Sequence, residues 1–226
     1  MPRPSYLPEF PGSMASVATH ELVRKTYALL AATLVVTAVA AMFGMSMAFP
    51  YQHPFILMIL AFGVLFAILF TGAKQGPLAL PLVFVFTGLM GLSLGPMLAV
   101  TLQLSNGPLI VAESAIGTAA IFGGLSLYAW ISKRDFSFMG GFLFVGLIIV
   151  ILAGIANFFL QMPALQLTVA SAALFIFSGY TLVDTSRLVR GGETNPIFIT
   201  VSLYLDVLNI FLSLLQILSF LQGRRR

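Results

Sequence analysis

Residues 197–221 read IFITVSLYLDVLNIFLSLLQILSFL, twenty-five positions that carry one charge, Asp206, and neither glycine nor proline. A bilayer crossing takes about 20 apolar residues, so this run is long enough to span. An exposed backbone in lipid must satisfy its own hydrogen bonds, which makes the span a helix. Six further runs have the same character: Thr26–Phe49, Phe55–Gly72, Leu78–Leu104, Leu109–Ile131, Phe138–Leu160 and Leu165–Leu188. Breaks such as Lys74-Gln75-Gly76-Pro77, Ser105-Asn106-Gly107-Pro108 and Gly191-Gly192-Glu193-Thr194-Asn195-Pro196 separate them. The chain is expected to be an all-α integral membrane protein of seven transmembrane helices.

Composition supports this. Apolar residues make up 59% of the chain and charged ones 8%, against roughly 25% charged in a soluble domain. The absence of cysteine excludes disulfides and thiolate chemistry. His20 and His53 fall outside the apolar runs. The net charge of +4 is scattered along the chain, which fits charge asymmetry across a membrane and not nucleic-acid binding.

Residues 1–25 hold Pro2, Pro4, Pro8 and Pro11 and are expected to form a flexible cytoplasmic tail. The first apolar run begins at Thr26 and is too long for a signal-peptide core, so it is expected to be retained. Residues 26–221 form the transmembrane domain and residues 222–226 a basic C-terminal tail. Seven crossings place Arg3, Arg24, Lys25, Lys74, Lys133, Arg134, Arg187 and Arg190 on one side, while the opposite loops hold no Lys or Arg. The positive-inside rule then puts the N-terminus in the cytoplasm. Arg224, Arg225 and Arg226 run against this if the last run crosses fully, and agree with it if that run is a re-entrant hairpin. The lack of a central Gly or Pro favours a crossing.

Three acids lie inside apolar runs: Glu113, Asp184 and Asp206. Such a group costs on the order of 2.5–3.5 kcal/mol on insertion scales and usually faces a partner, a cavity or a conduction path. If the sixth and seventh spans form a hairpin turning at 192–194, the position opposite Asp184 is about residue 200–204. The two aspartates are then offset by only about 3–9 Å along the axis. Ser202, Asp206, Asn209 and Ser213 share one helical face, which points inward. Two carboxylates in a dry site cannot both ionise cheaply, so the pair is expected to share a proton. Opened to water, the same oxygens suit Ca²⁺. Loss of the bridge by deprotonation would let the helices separate. The blander readings are that Asp184 pairs with Arg187 three residues on and anchors the helix end, and that Glu113 reaches headgroup water. No permanent cofactor is expected.

Two enzymatic alternatives stand as weaker readings. An intramembrane aspartyl protease would use two aspartates on these helices, but Ser202-Leu203-Tyr204-Leu205-Asp206 lacks Gly-x-Gly-Asp, and Pro163-Ala164-Leu165 precedes the sixth span instead of the last. Gly91-Leu92-Ser93-Leu94-Gly95 fits G-x-S-x-G, yet that elbow needs a strand-to-helix turn and a histidine. Its small residues read instead as a helix-packing face, with Pro96 a kink just beyond.

The stretch from Phe177-Ser178-Gly179-Tyr180 through Val183-Asp184-Thr185-Ser186 and Gly191-Gly192-Glu193-Thr194-Asn195 to Val201-Ser202-Leu203-Tyr204-Leu205-Asp206-Val207-Leu208-Asn209-Ile210-Phe211 resembles the signature of the Bax inhibitor 1, or transmembrane BAX inhibitor motif, family. Arg24-Lys25-Thr26-Tyr27, Gly95-Pro96 and Asp135-Phe136-Ser137-Phe138 extend the similarity towards its bacterial YccA-type branch. The resemblance implies seven helices with the last near the centre of a bundle of the other six, in the bacterial inner membrane. It implies a pH-sensitive calcium leak governed by an aspartate pair matching Asp184 and Asp206. Branch members also bind and modulate the membrane-anchored ATP-dependent protease FtsH, using the N-terminal tail. The basic partner that some relatives supply to the pair matches Arg24, Lys25 or Lys74 only weakly.

Overall fold

A computed structural model of the chain describes residues 11–72, 76–192 and 194–223. These form eight α-helices: α1 (Pro11–Ser46), α2 (Ala48–Gln52), α3 (Pro54–Gly72), α4 (Ala79–Leu102), α5 (Gly107–Ser132), α6 (Gly140–Leu160), α7 (Pro163–Val189) and α8 (Pro196–Gly223), with one short 3-10 turn (Ser137–Met139) before α6. Among the described residues there is no strand. Six helices are long and apolar enough to cross a bilayer, and α3 is a shorter apolar one. The seven expected spans correspond to α1 and α3 to α8. The five-residue α2 occupies the Pro50–Pro54 break.

One boundary lies well before its expected place. Residues 1–10 fall outside the described residues, but α1 already begins at Pro11, inside the stretch expected as a tail. A proline in the first helical turn costs nothing, since its missing N–H has no partner there. Leu22 and Val23 pack against the core, so part of the segment before Thr26 belongs to the bundle.

The last helix occupies the middle. In its most apolar stretch 56% of residues are buried, against 6% in α6. It packs on α1, α3, α4, α5 and α7. The bundle differs in one respect from the expected six around one: α6 leans on α7, which stands between it and α8. There Leu143 fills the space beside Gly179, where a Cβ would lie 2.6 Å from its methyl carbon. No break interrupts α8, in keeping with a full crossing. Arg224–Arg226 lie outside the described residues.

Glycine sets the α1–α4 crossing. A Cβ on Gly44 would sit 2.6 Å from the Leu92 carbonyl oxygen, and Cβ atoms on Gly91 and Gly95 would collide with the backbones of Thr37 and Gly44. The Gly91–Gly95 pattern is therefore a packing face, as its spacing suggests. The same helix continues through Pro96.

Tyr204 ties the central helix to this pair. Its side chain is fully buried, edge-on to Phe86 at 5.8 Å, with its hydroxyl 2.8 Å from Thr37 Oγ1. Thr37 has one hydroxyl proton, and the carbonyls of Thr33 and Thr87 lie 2.9 and 3.1 Å from it. Those carbonyls can only accept, so Tyr204 donates to Thr37. Tyr204→Phe is expected to cost about 1 kcal/mol, the range for hydrogen bonds between membrane helices. Reversible unfolding in bicelles measures it, and an unchanged stability would mean that the bond contributes nothing.

Candidate functional site

The α7–α8 turn fixes the register of the site. Beyond Val189, Gly191 takes the left-handed conformation (φ 71°). The Gly191 and Gly192 N–H groups donate to the Leu188 and Arg187 carbonyls at 3.3 and 2.9 Å, a Schellman close that glycine permits without strain. Four residues later Asn195 Oδ1 accepts from Ile197 N–H at 2.9 Å, capping α8, with Pro196 as its first residue. So short a connection makes the two helices an antiparallel pair.

Counting outward at 1.5 Å per residue, Asp184 lies roughly 8 Å inside the end of α7 and Asp206 roughly 15 Å inside the start of α8. The structure accordingly sets Ser202 against Asp184, with its hydroxyl hydrogen-bonded to the carboxylate. Asp206 stands about one turn deeper. Both aspartates are buried, 7% and 3% exposed, and lie within electrostatic reach of each other. Asp206 Oδ2 has no hydrogen-bond partner among the described residues. A buried carboxylate oxygen left unpaired is costly.

Arg187 Nη1 is 3.7 Å from Asp184 Oδ1, and the arginine side chain is about half exposed. That separation is an ion pair and not a hydrogen bond. The local anchoring role read from the sequence and the burial of Asp184 therefore coexist. Of the weak basic candidates, Lys25 is held by Glu21 at 2.7 Å, Arg24 lines a cavity between α1, α5 and α7, and Lys74 lies outside the described residues. Among the described residues, Arg187 is the cation that stands beside Asp184. Tyr180, one turn before Asp184, also lies within electrostatic reach of both carboxylates.

The inward face of α8 continues past Asp206. Asn209 Nδ2 donates to its own helix at the Leu205 carbonyl (2.8 Å), and Ser213 is buried. Gln216 then lines a cavity of about 500 Å³ between α4, α7 and α8, together with Thr101, Gln166, Ser219 and Pro96. The buried Ser219 hydroxyl has no partner among the described residues. These four polar groups were not singled out in the sequence. Gln216 and Ser219 sit two turns and more beyond Asp206 on the last helix, a signal present but diluted among apolar neighbours. Gln166 and Thr101 come from other helices and no local pattern joins them. Glu113 is exposed on α5, six residues from the start of that helix, and does not join the pair.

At the opposite, basic end the helices are tied by their loops. Arg190 Nη1 and Asp135 Oδ2 are 2.6 Å apart, Ser137 N–H donates to Asp135 Oδ1 at 2.9 Å, and the Ser186 hydroxyl accepts from Phe136 N–H at 3.5 Å. The bond from Arg190 and that from Ser137 hold the Asp135 carboxyl below the usual carboxylate range. A depressed value means that the contact is fully present above the ordinary carboxylate pKa and is lost only as pH falls through the lowered one. Between about pH 5 and 8 this exposed pair stays charged, so it is a fixed clasp and not a sensor.

Comparison with known proteins gives the family. The family described as "Inhibitor of apoptosis-promoting Bax1" matches residues 19–224. The chain belongs to the Bax inhibitor 1 family. Asp184, Ser202 and Asp206 all fall within the matched span. A Vibrio cholerae relative named "Uncharacterized membrane protein" is 44% identical over 92% of the chain and 93% of its own length. An Escherichia coli K12 relative named "Modulator of FtsH protease YccA" is 38% identical over 90% and 92%. Its counterpart in Escherichia coli O6:H1, at the same identity, is named "Inner membrane protein YccA". This Bax inhibitor 1 family member is thus a multi-pass membrane protein similar over nearly its whole length to a bacterial protease modulator.

Proposed function

We propose that the protein is a pH-controlled calcium leak, without enzymatic activity, whose closed state is held by the Asp184–Asp206 pair. The observation that carries this reading is the pair itself: two buried carboxylates on facing helices, one with an unpaired oxygen, at the head of a polar face that leads to a cavity. With one proton between them the carboxylates attract. When it leaves, two negative charges face one another in a low-dielectric site, and repulsion loosens α7 from α8. The freed oxygens are hard ligands of the kind Ca²⁺ takes. Arg187 and Ser202 face Asp184 and Tyr180 lies within reach of both carboxylates, and these groups set where the proton leaves. In this reading the basic end, with Arg24, Lys133, Arg134, Arg187 and Arg190, is cytoplasmic, and the cavity lined by Gln166 and Gln216 faces the other compartment.

Purified protein in liposomes loaded with a calcium dye tests this. Leak is expected to rise as pH is raised from about 5 to 8. No flux at any pH from folded protein would overturn it.

A second reading is favoured by the name of the Escherichia coli relative: a non-conducting modulator or substrate of FtsH. It predicts that Asp184→Asn and Asp206→Asn leave FtsH-dependent turnover of a membrane substrate unchanged, while removal of the segment before Arg24 alters it. Turnover that responds to the aspartates and not to the tail would count against this reading.

A further inference from the structure

The seam between α1 and α5 shares no lining residue with the Gln166–Gln216 cavity of the proposed cation path. These two are not a packed helix pair. Across the gap the rings of Tyr27 and Phe122 meet edge-on at 6.5 Å. On either side of this contact lies a cavity, and Phe122 lines both. The one at the basic end, about 450 Å³, has Arg24, Ser126, Trp130 and Thr185 in its wall. The other, about 600 Å³, is lined almost wholly by apolar side chains, among them Ala38, Leu98, Ala115 and Phe211. The two therefore run end to end, polar and cationic at one mouth and apolar along the rest.

Length and charge together select the occupant. From Arg24 to Ala38 is roughly 21 Å of helix, and one leaflet with its headgroups is about 20–22 Å deep. Arg24 makes no ion pair among the described residues, whereas neighbouring Lys25 is held by Glu21. Trp130, about half exposed at the same level, marks the depth at which indoles meet headgroups. The Ser126 and Thr185 hydroxyls, 3.2 Å apart, add polar atoms just below it. A partner helix, about 10–12 Å across, would have to displace the Tyr27–Phe122 contact, while an acyl chain can lie alongside it.

We propose that the α1–α5 seam binds one anionic phospholipid from the leaflet at the basic end, its phosphate on Arg24 and an acyl chain along the seam past Phe122. Trp130 is the sole tryptophan of the chain and reports occupancy directly. The full-length protein is reconstituted in phosphatidylcholine bilayers containing phosphatidylglycerol or phosphatidylcholine with brominated acyl chains, and quenching of Trp130 is measured. One cation near a membrane surface corresponds to a preference of about fivefold, so brominated phosphatidylglycerol should quench that much more effectively per mole. Arg24→Gln should bring the ratio close to one, and Arg134→Gln, a cation at the same end outside the seam, should leave it unchanged. Ala38→Phe with Ala115→Phe, which fill the apolar cavity, should weaken quenching by both lipids while circular dichroism shows the helices intact. Equal quenching by the two headgroups in the unaltered protein would overturn the proposal. So would a preference that survives Arg24→Gln, or quenching that ignores the filled cavity.

Discussion

Asp206→Asn, reconstituted beside the unaltered protein, is expected to give a calcium leak that no longer changes between about pH 5 and 8. Asparagine keeps the size of the side chain and cannot lose a proton in this range. It still donates to a facing carboxylate, so α7 and α8 stay bridged and the leak stays at or below the level of the unaltered protein at low pH. At the upper end of the range the difference should reach tenfold or more, since the deprotonated fraction of a single group rises about tenfold for each pH unit below its pKa. Asp184→Asn should flatten the profile less completely. Asp184 has the Ser202 hydroxyl and Arg187 beside it, and Asp206 holds the oxygen without a partner. A full pH response in Asp206→Asn would remove this residue from the gate.

The largest loss of stability is expected at the α1–α4 crossing. At Gly95 even a methyl group would run into the backbone of Gly44, and neither helix has a flexible side chain there that can swing aside. Overpacking of this kind costs about 1–3 kcal/mol for one or two carbons in an interior. Gly95→Val adds a branched group against rigid backbone and should lie at or above the top of that range. Accumulation of the folded protein in the membrane should fall severalfold, and what is recovered should unfold earlier in a denaturant series. Gly123→Val serves as the comparison, because a Cβ there meets nothing within 4 Å. Equal effects of the two substitutions would show that the crossing is not set by glycine contact.

Much of this architecture was legible from the run that ends the chain. Its length and its lone charge identify a spanning helix, and the inward face of Ser202, Asp206, Asn209 and Ser213 follows from helical spacing. The hairpin register was legible too, because Gly191-Gly192 and Asn195-Pro196 are a stop and a start whose chemistry fixes the turn. Three features were not. The early start of α1 was hidden by prolines, since Pro11 begins the helix as readily as it would break one. The Thr101, Gln166, Gln216 and Ser219 cavity joins three helices, and tertiary contacts between spans leave no periodic mark in any one of them. The position of α6 was hidden for a related reason. Its sequence is apolar on every side, as fits a helix bathed in lipid, and nothing in it says which neighbour it touches.

The clasp between Asp135 and Arg190 bears on mechanism through what it leaves free. It joins the loop before α6 to the end of α7 and stays charged over the range in which the gate is proposed to work. A pH-driven movement of α7 against α8 would leave this contact at the basic end of α7 in place.

The central claim is that Asp184 and Asp206 share one proton, which departs as the leak opens. Infrared difference spectra of the reconstituted protein between about pH 5 and 8 measure this most directly. A protonated carboxyl carbonyl band should be lost on raising the pH of the unaltered protein, and this loss should be missing from Asp206→Asn. A spectrum in which no carboxyl deprotonates over this range, or in which the same band disappears from Asp206→Asn, would contradict the account.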